Sequence, residues 1–224
     1  MTNVTMLARD RYRLTKQAIE SLVNDMRSMS FLVVDDRSQP LTADLLHLYG
    51  AVRNETPMGT GPLRNLAVAE SEKRYGRGDY LYLSDNDVFF RPTWLAHLIH
   101  CYELTWSSGI RVLGACNHPF HQPVTSLPMG NGSAVMVVNA LASQSMLMRW
   151  EVWDTFGPFC ETPVDKVCQS EDVDFTNKIR AAGFKIGVVS PALIVNTGIT
   201  NSFGEHIPGW EMVKRQCPIG VICE

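Results

Sequence analysis

Continuous runs of apolar residues alternate with helical periodicity in the first half of the chain. Three short runs are almost entirely apolar, as is typical of strands buried on both faces: 4–7, 31–34 and 80–83. Apolar residues recur at helical spacing from Leu14 to Leu22 and predict a helix over about 13–26. A second helix is predicted over about 62–74, after a break that contains Gly and Pro. This alternation predicts an α/β protein with a mostly parallel sheet and helices on both faces.

The second half of the chain has shorter and less regular patterns. Strands are predicted at four places: 112–115, 134–138, 145–148 and 185–189. A helix over about 171–182 is predicted to begin after Ser170, its N-cap, and to end at Gly183. The Pro- and Gly-rich stretch 117–131 is predicted to be a loop, and no regular structure is expected from Asn196 onward.

Composition places the chain among ordinary globular domains. Of its 224 residues, 45% are hydrophobic and 19% are charged, and a domain of this length buries one large core. The formal net charge is −3 and Lys and Arg form no run, which argues against a general attraction to nucleic acid or anionic membranes. No segment approaches the roughly 20 apolar residues that span a bilayer. We therefore expect a single domain over 1–224 without a transmembrane segment.

The six cysteines match neither a zinc site nor a small disulfide framework, because no Cys-x-x-Cys pair occurs. Cys101 and Cys116 lie among apolar residues and are expected to be buried thiols. Arg9, Arg11 and Arg13 interrupt the N-terminus before any long apolar stretch, so no signal peptide is expected. These features predict a reducing, cytoplasmic compartment.

Two pairs of acidic residues follow apolar strands. Asp35 and Asp36 come after the second run, and Asp85 and Asp87 come after the third. Parallel sheets bind ligands beyond the carboxyl ends of their strands, where both pairs should lie. Alternate residues of a pleated strand share a face, so Asp85 and Asp87 are predicted to project together. Paired carboxylates repel unless a cation lies between them, and hard oxygen ligands suit Mg²⁺ or Mn²⁺; the alternative is a solvated turn.

Five short motifs follow one another along the chain: 4–9, Val33-Val34-Asp35-Asp36-Arg37-Ser38, Gly61-Pro62-Leu63-Arg64-Asn65, Leu83-Ser84-Asp85-Asn86-Asp87 and Ser170-Glu171-Asp172-Val173-Asp174-Phe175. In this order, over about residues 3–200, they resemble the family 2 glycosyltransferases of the GT-A fold. The second motif resembles the family's Val-Asp-Asp-x-Ser, the fourth its DxD and the fifth its Glu-Asp-x-Asp. The stretch 133–159 resembles the family's acceptor-side segment. The common order and spacing carry the resemblance.

The resemblance implies that residues 1–110 bind a nucleotide sugar. By this resemblance, Arg9 lies in the nucleotide loop and Arg64 contacts the nucleotide. Asp36 accepts a hydrogen bond from the base, and the expected donor is uracil N3–H. The expected donor substrate is therefore a UDP-sugar. From the residues alone, Asp36 also fits a turn-capping aspartate, and Arg64 also fits a solvated helix charge.

The resemblance also implies a divalent cation, Mn²⁺ or Mg²⁺, that neutralises the departing diphosphate. Asp87 would be its direct ligand, and Asp85 would contact the ribose or a metal-bound water, which makes both carboxylates candidates for the metal site. His206 is the candidate third ligand, with a solvated loop histidine as the alternative. The chain departs from the family here, because Asn196-Thr197-Gly198 replaces the usual His-x-Gly after the last strand.

Asp172 is implied to be the general base that deprotonates an acceptor hydroxyl in an inverting hexosyl transfer, since a helix N-terminus favours an ionised carboxylate. The residues alone also fit an ordinary acidic helix start. By the same resemblance, residues 111–200 would bind the acceptor and 201–224 would form a C-terminal tail. The acceptor is expected to be a glycan, a glycoconjugate or another hydroxyl-bearing molecule.

Three other functions account for part of the pattern. A haloacid-dehalogenase-type phosphatase also carries Asp-x-Asp after a strand, but Phe89 stands where that class has Thr or Val. A sugar nucleotidyltransferase needs a Gly-rich basic loop after the first strand, and Leu7-Ala8-Arg9-Asp10 contains no glycine. A non-catalytic carbohydrate-binding domain of the same fold has no need for Asp85, Asp87 and Asp172 together.

Overall fold

The computed structural model describes residues 1–23, 28–56, 58–116, 121–130, 132–161, 171–198 and 221–222. Within these ranges the strands are β1 (Thr2–Ala8), β2 (Met29–Asp36), β3 (Val52–Asn54), β4 (Tyr80–Asp85), β5 (Val88–Phe90), β6 (Ile110–Gly114), β7 (Pro123–Gly130), β8 (Ser133–Val138), β9 (Ser145–Arg149), β10 (Lys185–Ser190) and β11 (Ile194–Asn196). The helices are α1 (Tyr12–Leu22), α2 (Pro40–Leu48), α3 (Thr60–Tyr75), α4 (Trp94–Trp106), α5 (Trp150–Phe156) and α6 (Glu171–Ala181).

One large mixed sheet runs through the molecule, in the strand order β3-β2-β1-β4-β9-β6-β10-β8-β7. The first four of these strands are parallel, which confirms the α/β prediction for the N-terminal half. Strand β9 runs antiparallel to both β4 and β6, and β8 runs antiparallel to β10 and β7. Strands β5 and β11 form a separate two-stranded antiparallel sheet.

Helices cover both faces of the large sheet, as β4 illustrates. Tyr82 packs into a core cluster that includes residues of α1 and α4, whereas its neighbours Leu81 and Leu83 pack into a cluster with residues of α3, α5 and α6. All three side chains are fully buried. A strand buried on both faces has no polar alternation, which is why its sequence is continuously apolar.

Strands β5, β7 and β11 were not predicted from the sequence. The stretch 123–130 forms edge strand β7 rather than a loop, because an edge position tolerates its prolines and leaves most of its side chains exposed, so no apolar pattern marks it. Strand β11 has only three residues, which is too few to produce a periodic signal. The predicted helix over 13–26 corresponds to Tyr12–Leu22, and residues 24–27 lie outside the described part.

The register of the parallel strands sets the location of the polar clusters. Ala8 of β1 is paired with Asp35 of β2, and Leu7 is paired with Asp85 of β4. The ends of these three strands therefore lie side by side at one edge of the sheet. The turns that leave them carry the candidate site.

The core contains the two cysteines that the sequence singled out and two tryptophans of α5. Cys101 and Cys116 are buried free thiols, as expected. Trp150 is 6% exposed, and Trp153 packs against Phe159 with ring centroids 5.6 Å apart, so both tryptophans belong to the core. Within the described ranges, no helix combines the length and hydropathy needed to cross a membrane.

Candidate functional site

The adjacent carboxylates at the end of β2 have different partners. Asp35 accepts a hydrogen bond from the Ser38 backbone N–H at 2.8 Å and pairs with Arg53 at 2.5 Å. Asp36 accepts a hydrogen bond from Asn54 Nδ2 at 2.9 Å, and its other oxygen lies 3.6 Å from Arg9 Nη1. The turn cap is therefore Asp35, which corrects the alternative that gave this role to Asp36.

The turn between β1 and α1 is fixed against the turn that follows β2. The Asp10 backbone N–H donates to Ser38 Oγ at 2.9 Å, and the Asp10 carboxylate accepts from the Gln39 N–H at 2.7 Å. Asp10 and Arg11 both have positive φ angles, 53° and 54°. Each such left-handed residue costs about 1 kcal/mol or more, and the turn's hydrogen bonds offset that cost. The result is a rigid turn that presents Arg9 and Arg11 at the sheet edge.

Strand β4 ends at Asp85, so Asp85 and Asp87 do not share one pleated strand. That part of the sequence prediction is wrong, because the chain bends at Asn86. Asn86 is 7% exposed and donates from Nδ2 to Thr15 Oγ1 at 2.6 Å. The amide of Asn86 fixes the bend to α1, a role that the sequence gave no means to foresee.

Arg64 enters the site from the first turns of α3. Its side chain is 1% exposed, and it donates to Asp85 Oδ1 at 2.5 Å and to the Ser84 carbonyl at 3.2 Å. The alternative of a solvated helix charge is therefore wrong for Arg64. A buried guanidinium needs an anion beside it, and Asp85 is that anion.

Asp87 is enclosed by the turn after β1 and the segment after β11. Its Oδ2 lies 2.5 Å from Arg11 Nη1, and its backbone carbonyl accepts from the Thr197 N–H at 2.7 Å. A Cβ atom added to Gly198 would lie 2.1 Å from Asp87 Oδ2. Burial and the like charge of Asp85 raise the pKa of Asp87 to about 6, against the opposing effect of Arg11.

The acidic start of α6 is held by Ser143, which lies between β8 and β9. The Ser143 N–H donates to Asp172 Oδ2 at 3.2 Å, and Ser143 Oγ donates to Glu171 Oε1 at 3.0 Å. Burial raises the pKa of Glu171, and the positive charge of Arg64 opposes that rise. Asp174 instead pairs with Lys178 at 2.8 Å on a partly exposed face. The predicted N-cap Ser170 lies outside the described residues.

Gly61 explains how α3 and α6 come so close. A Cβ at this position would lie 2.3 Å from the Cys160 carbonyl oxygen and 3.3 Å from Glu171 Cβ. The Cys160 carbonyl leaves room only for glycine here, and the start of α6 lies beside the same position. Arg64, one turn further along α3, is thereby placed next to both Asp85 and Glu171.

The segment at the end of β11 stands where the family's His-x-Gly was expected. Asn196 is 3% exposed, donates to Gln144 Oε1 at 2.9 Å and accepts from the Gly198 N–H at 2.9 Å. The Asn196 amide thus holds the Thr197–Gly198 backbone against Asp87. His206, the candidate third metal ligand, lies outside the described residues.

Two carboxylates in this site have the chemistry to hold a hard cation. In the described ranges, no group of three or more His, Cys, Asp or Glu side chains is placed to bind a metal ion. Asp85 and Asp87 are close enough for one charge to raise the pKa of the other carboxyl. This sparse oxygen set fits Mg²⁺ or Mn²⁺, which take their remaining ligands from phosphates and water.

Comparison with known proteins finds similarity in structure and none in sequence. No protein-family model matches the chain, and no curated protein matches its sequence. Solved structures match with high confidence. A mannosyltransferase from Pyrobaculum calidifontis in complex with GDP-Man and Mn²⁺ superposes with a TM-score of 0.60 at 12% identity, over 96% of this chain and 61% of the solved one.

Two further structures extend the comparison. S. aureus TarS (1–349) matches with a TM-score of 0.61 at 17% identity, over 86% of this chain and 59% of the other. GalNAc-T7 with UDP, GalNAc and Mn²⁺ matches with a TM-score of 0.63 at 13% identity, over 84% of this chain and 42% of the other. The chain therefore spans about three fifths or less of each solved protein. These matches establish the GT-A fold, as the sequence predicted.

Proposed function

We infer that the chain is a metal-dependent glycosyltransferase that moves a hexosyl group from a UDP-sugar to an acceptor hydroxyl with inversion. One observation carries this proposal: Asp36 and Asp85 end neighbouring parts of one parallel sheet, Asp87 follows Asp85 directly, and Arg64 pairs with Asp85 within electrostatic reach of Glu171 at the start of α6. The GT-A fold and the nucleotide and Mn²⁺ ligands named for two structural neighbours support it. Residues 1–110 would bind the donor and 111–200 the acceptor.

Asp36 and Arg9 would hold the nucleotide. Asp36 is 5% exposed at the end of β2, and its orientation is set by Asn54. It offers a negatively charged acceptor to the N3–H of uracil. The Arg9 side chain is 62% exposed, so it can move toward the donor at little cost. Arg64 would contact the nucleotide nearby, and its buried guanidinium also orients Asp85.

Asp85 and Asp87 would hold Mn²⁺ or Mg²⁺ together with the donor diphosphate. When bound, the cation would neutralise the charge that develops on the departing diphosphate. The chain's own residues provide the geometry for this: Asn86 fixes the bend between the two carboxylates, and Thr197 holds the Asp87 backbone. His206 remains a proposed third ligand.

Asp172 would accept the proton of the acceptor hydroxyl. Ser143 orients one carboxylate oxygen, and the N–H of Val173 donates to the other at 2.8 Å. A base must be held within reach of the hydroxyl, and these two donors fix the orientation of the carboxylate. Glu171, buried beside Arg64, is suited to orienting the site rather than to accepting the proton.

A non-catalytic carbohydrate-binding domain is the second candidate function, favoured by the small number of metal ligands in the described residues. Asp172→Asn separates the two. We expect the variant to bind UDP-sugar as the wild type does and to lose transfer and slow donor hydrolysis by about 10²-fold or more, as removal of a general base does. Asp174→Asn, at the same helix start, should keep both. Unchanged turnover in Asp172→Asn would remove the base assignment.

A further inference from the structure

The Asp87 carboxylate already has a cation beside it, supplied by the protein. Arg11 Nη1 lies 2.5 Å from Asp87 Oδ2, and the two side chains are 27% and 16% exposed. Asp85 is paired in the same way with Arg64 at 2.5 Å. Each of the two carboxylates is thus paired with a guanidinium, which weakens the attraction of the pair for a divalent cation.

The backbone of Gly198 closes the same carboxylate oxygen from another side. An added Cβ would lie 2.1 Å from Asp87 Oδ2 and 2.7 Å from Arg11 Nη1. Asp87 Oδ2 is therefore covered on one side by Arg11 and on another by the Gly198 backbone, which Asn196 holds in place. A cation reaches this oxygen only when Arg11 moves away.

Several features of the position of Arg11 are unfavourable for an arginine. It has a positive φ of 54°, it is the N-cap of α1 without a capping hydrogen bond from its side chain, and its charge opposes the positive end of the helix dipole. Ser, Thr, Asp or Asn would suit this position better. The ion pair with Asp87 offsets these disadvantages, which identifies it as a specific feature of the site.

We propose that Arg11 is a displaceable counter-ion that competes with the divalent cation for Asp87. In the donor-free protein, Arg11 holds Asp87 and keeps its affinity for the cation low. A donor diphosphate provides Arg11 with an alternative anion, because guanidinium groups bind phosphate as well as carboxylate. The released Asp87 carboxylate would then be available to hold the cation beside the diphosphate. Metal and donor binding are coupled through this exchange, an inference that rests on the proposed function.

The test is the affinity for Mn²⁺ alone, measured from the electron paramagnetic resonance signal of free Mn²⁺ with no nucleotide present. We expect Arg11→Gln to bind Mn²⁺ about tenfold more tightly than the wild type, which corresponds to the loss of one charge-assisted hydrogen bond. Arg11→Lys, which keeps the charge, should stay near the wild type. Lys16→Gln is the matched control, because it removes one positive charge from an exposed site on the same helix.

Two further measurements test whether the change in Mn²⁺ affinity acts through Asp87. Adding Asp87→Asn to Arg11→Gln should abolish the gain, and UDP should increase Mn²⁺ affinity more in the wild type than in Arg11→Gln. Arg11→Met, checked for folding by circular dichroism, replaces Arg11→Gln if that variant does not fold. The proposal is overturned if Arg11→Gln binds Mn²⁺ within twofold of the wild type. It is also overturned if the gain in Mn²⁺ affinity persists when Asp87→Asn is added. A gain that depends on Asp87, in a protein that binds no UDP or UDP-sugar, supports the competition and overturns the proposed function instead.

Discussion

Arg64 donates to Asp85 Oδ1 at 2.5 Å and thereby joins the start of α3 to the end of β4. The guanidinium is almost completely buried, whereas a third of the Asp85 side chain remains exposed toward the strand ends. Asp85 is thus anchored from behind and presents its open side to the candidate site. This contact fixes one of the two carboxylates that the proposed function requires.

Removing Arg64 should therefore damage both folding and binding. We expect Arg64→Met to lower the free energy of unfolding by about 3 kcal/mol, since it leaves Asp85 and the Ser84 carbonyl without their partner. Arg64→Lys should also lose stability, because an ammonium cannot reproduce the two directed hydrogen bonds. Urea unfolding gives the measurement. Lys73→Ala, on the exposed side of the same helix, should stay within about 0.5 kcal/mol of the wild type. Equal values for Arg64→Met and Lys73→Ala would contradict the assignment.

The neighbouring carboxylates Asp35 and Asp36 should differ in what their loss costs. Asp35→Asn breaks the ion pair between the buried Asp35 and the partly exposed Arg53 and weakens a turn cap, so the free energy of unfolding should fall by about 1 to 3 kcal/mol. Asp36→Asn should leave stability nearly unchanged and weaken UDP binding about tenfold, because a charged acceptor for the base is lost. Chemical denaturation and calorimetric UDP binding on both variants measure the two effects. The account fails here if Asp35→Asn reduces binding without reducing stability.

The protonation of Asp87 should be visible at moderately acidic pH. Burial and Asp85 raise the pKa of this carboxyl to about 6, so it gains its proton roughly two pH units earlier than an ordinary aspartate. A ¹³C carboxyl titration of the metal-free protein by NMR should contain one resonance with a midpoint near 6. That resonance should disappear in Asp87→Asn. Because only the ionised form attracts a cation, Mn²⁺ binding in the presence of UDP should weaken as the pH falls below this midpoint. An Asp87 midpoint near 4 would show that the carboxylate is not buried beside a like charge.

Gly198 should not tolerate a side chain. Its added Cβ would overlap Asp87 Oδ2 and approach Arg11 Nη1 closely, so Gly198→Ala must displace the ion pair or the backbone after β11. We expect the variant to fold and to lose at least about tenfold in Mn²⁺-dependent UDP affinity, since misplaced ligands lose their geometry. Gly109→Ala, in the turn before β6, is the control for binding: its Cβ would meet nothing within 4 Å, and the strain of its positive φ of 89° lowers stability at a place outside the site. Calorimetric titration of UDP with Mn²⁺ present compares them. Wild-type affinity in Gly198→Ala would contradict the described packing around Asp87.

The sequence predicts the parts of this molecule that follow from local pattern. Buried strands such as β2 and β4 are continuously apolar, and the acidic residues at their ends mark the sheet edge where ligands bind. The pairing of Arg11 with Asp87 joins residues 76 positions apart and leaves no local signal. The burial of Arg64 depends on the close approach at Gly61, which no periodicity reveals. The bend at Asn86 was missed because a polar residue after a strand fits a continued strand and a turn equally well.

The central claim is that the carboxylates at this sheet edge anchor a nucleotide sugar through its diphosphate and a divalent cation. Its most direct test is to screen a panel of nucleotide sugars, with Mn²⁺ present, for binding and slow donor hydrolysis by the wild type and Asp87→Asn. The account predicts that at least one UDP-sugar binds to the wild type and is slowly hydrolysed, and that Asp87→Asn loses most of both. Failure of every nucleoside diphosphate and nucleotide sugar to bind the folded wild type would contradict it.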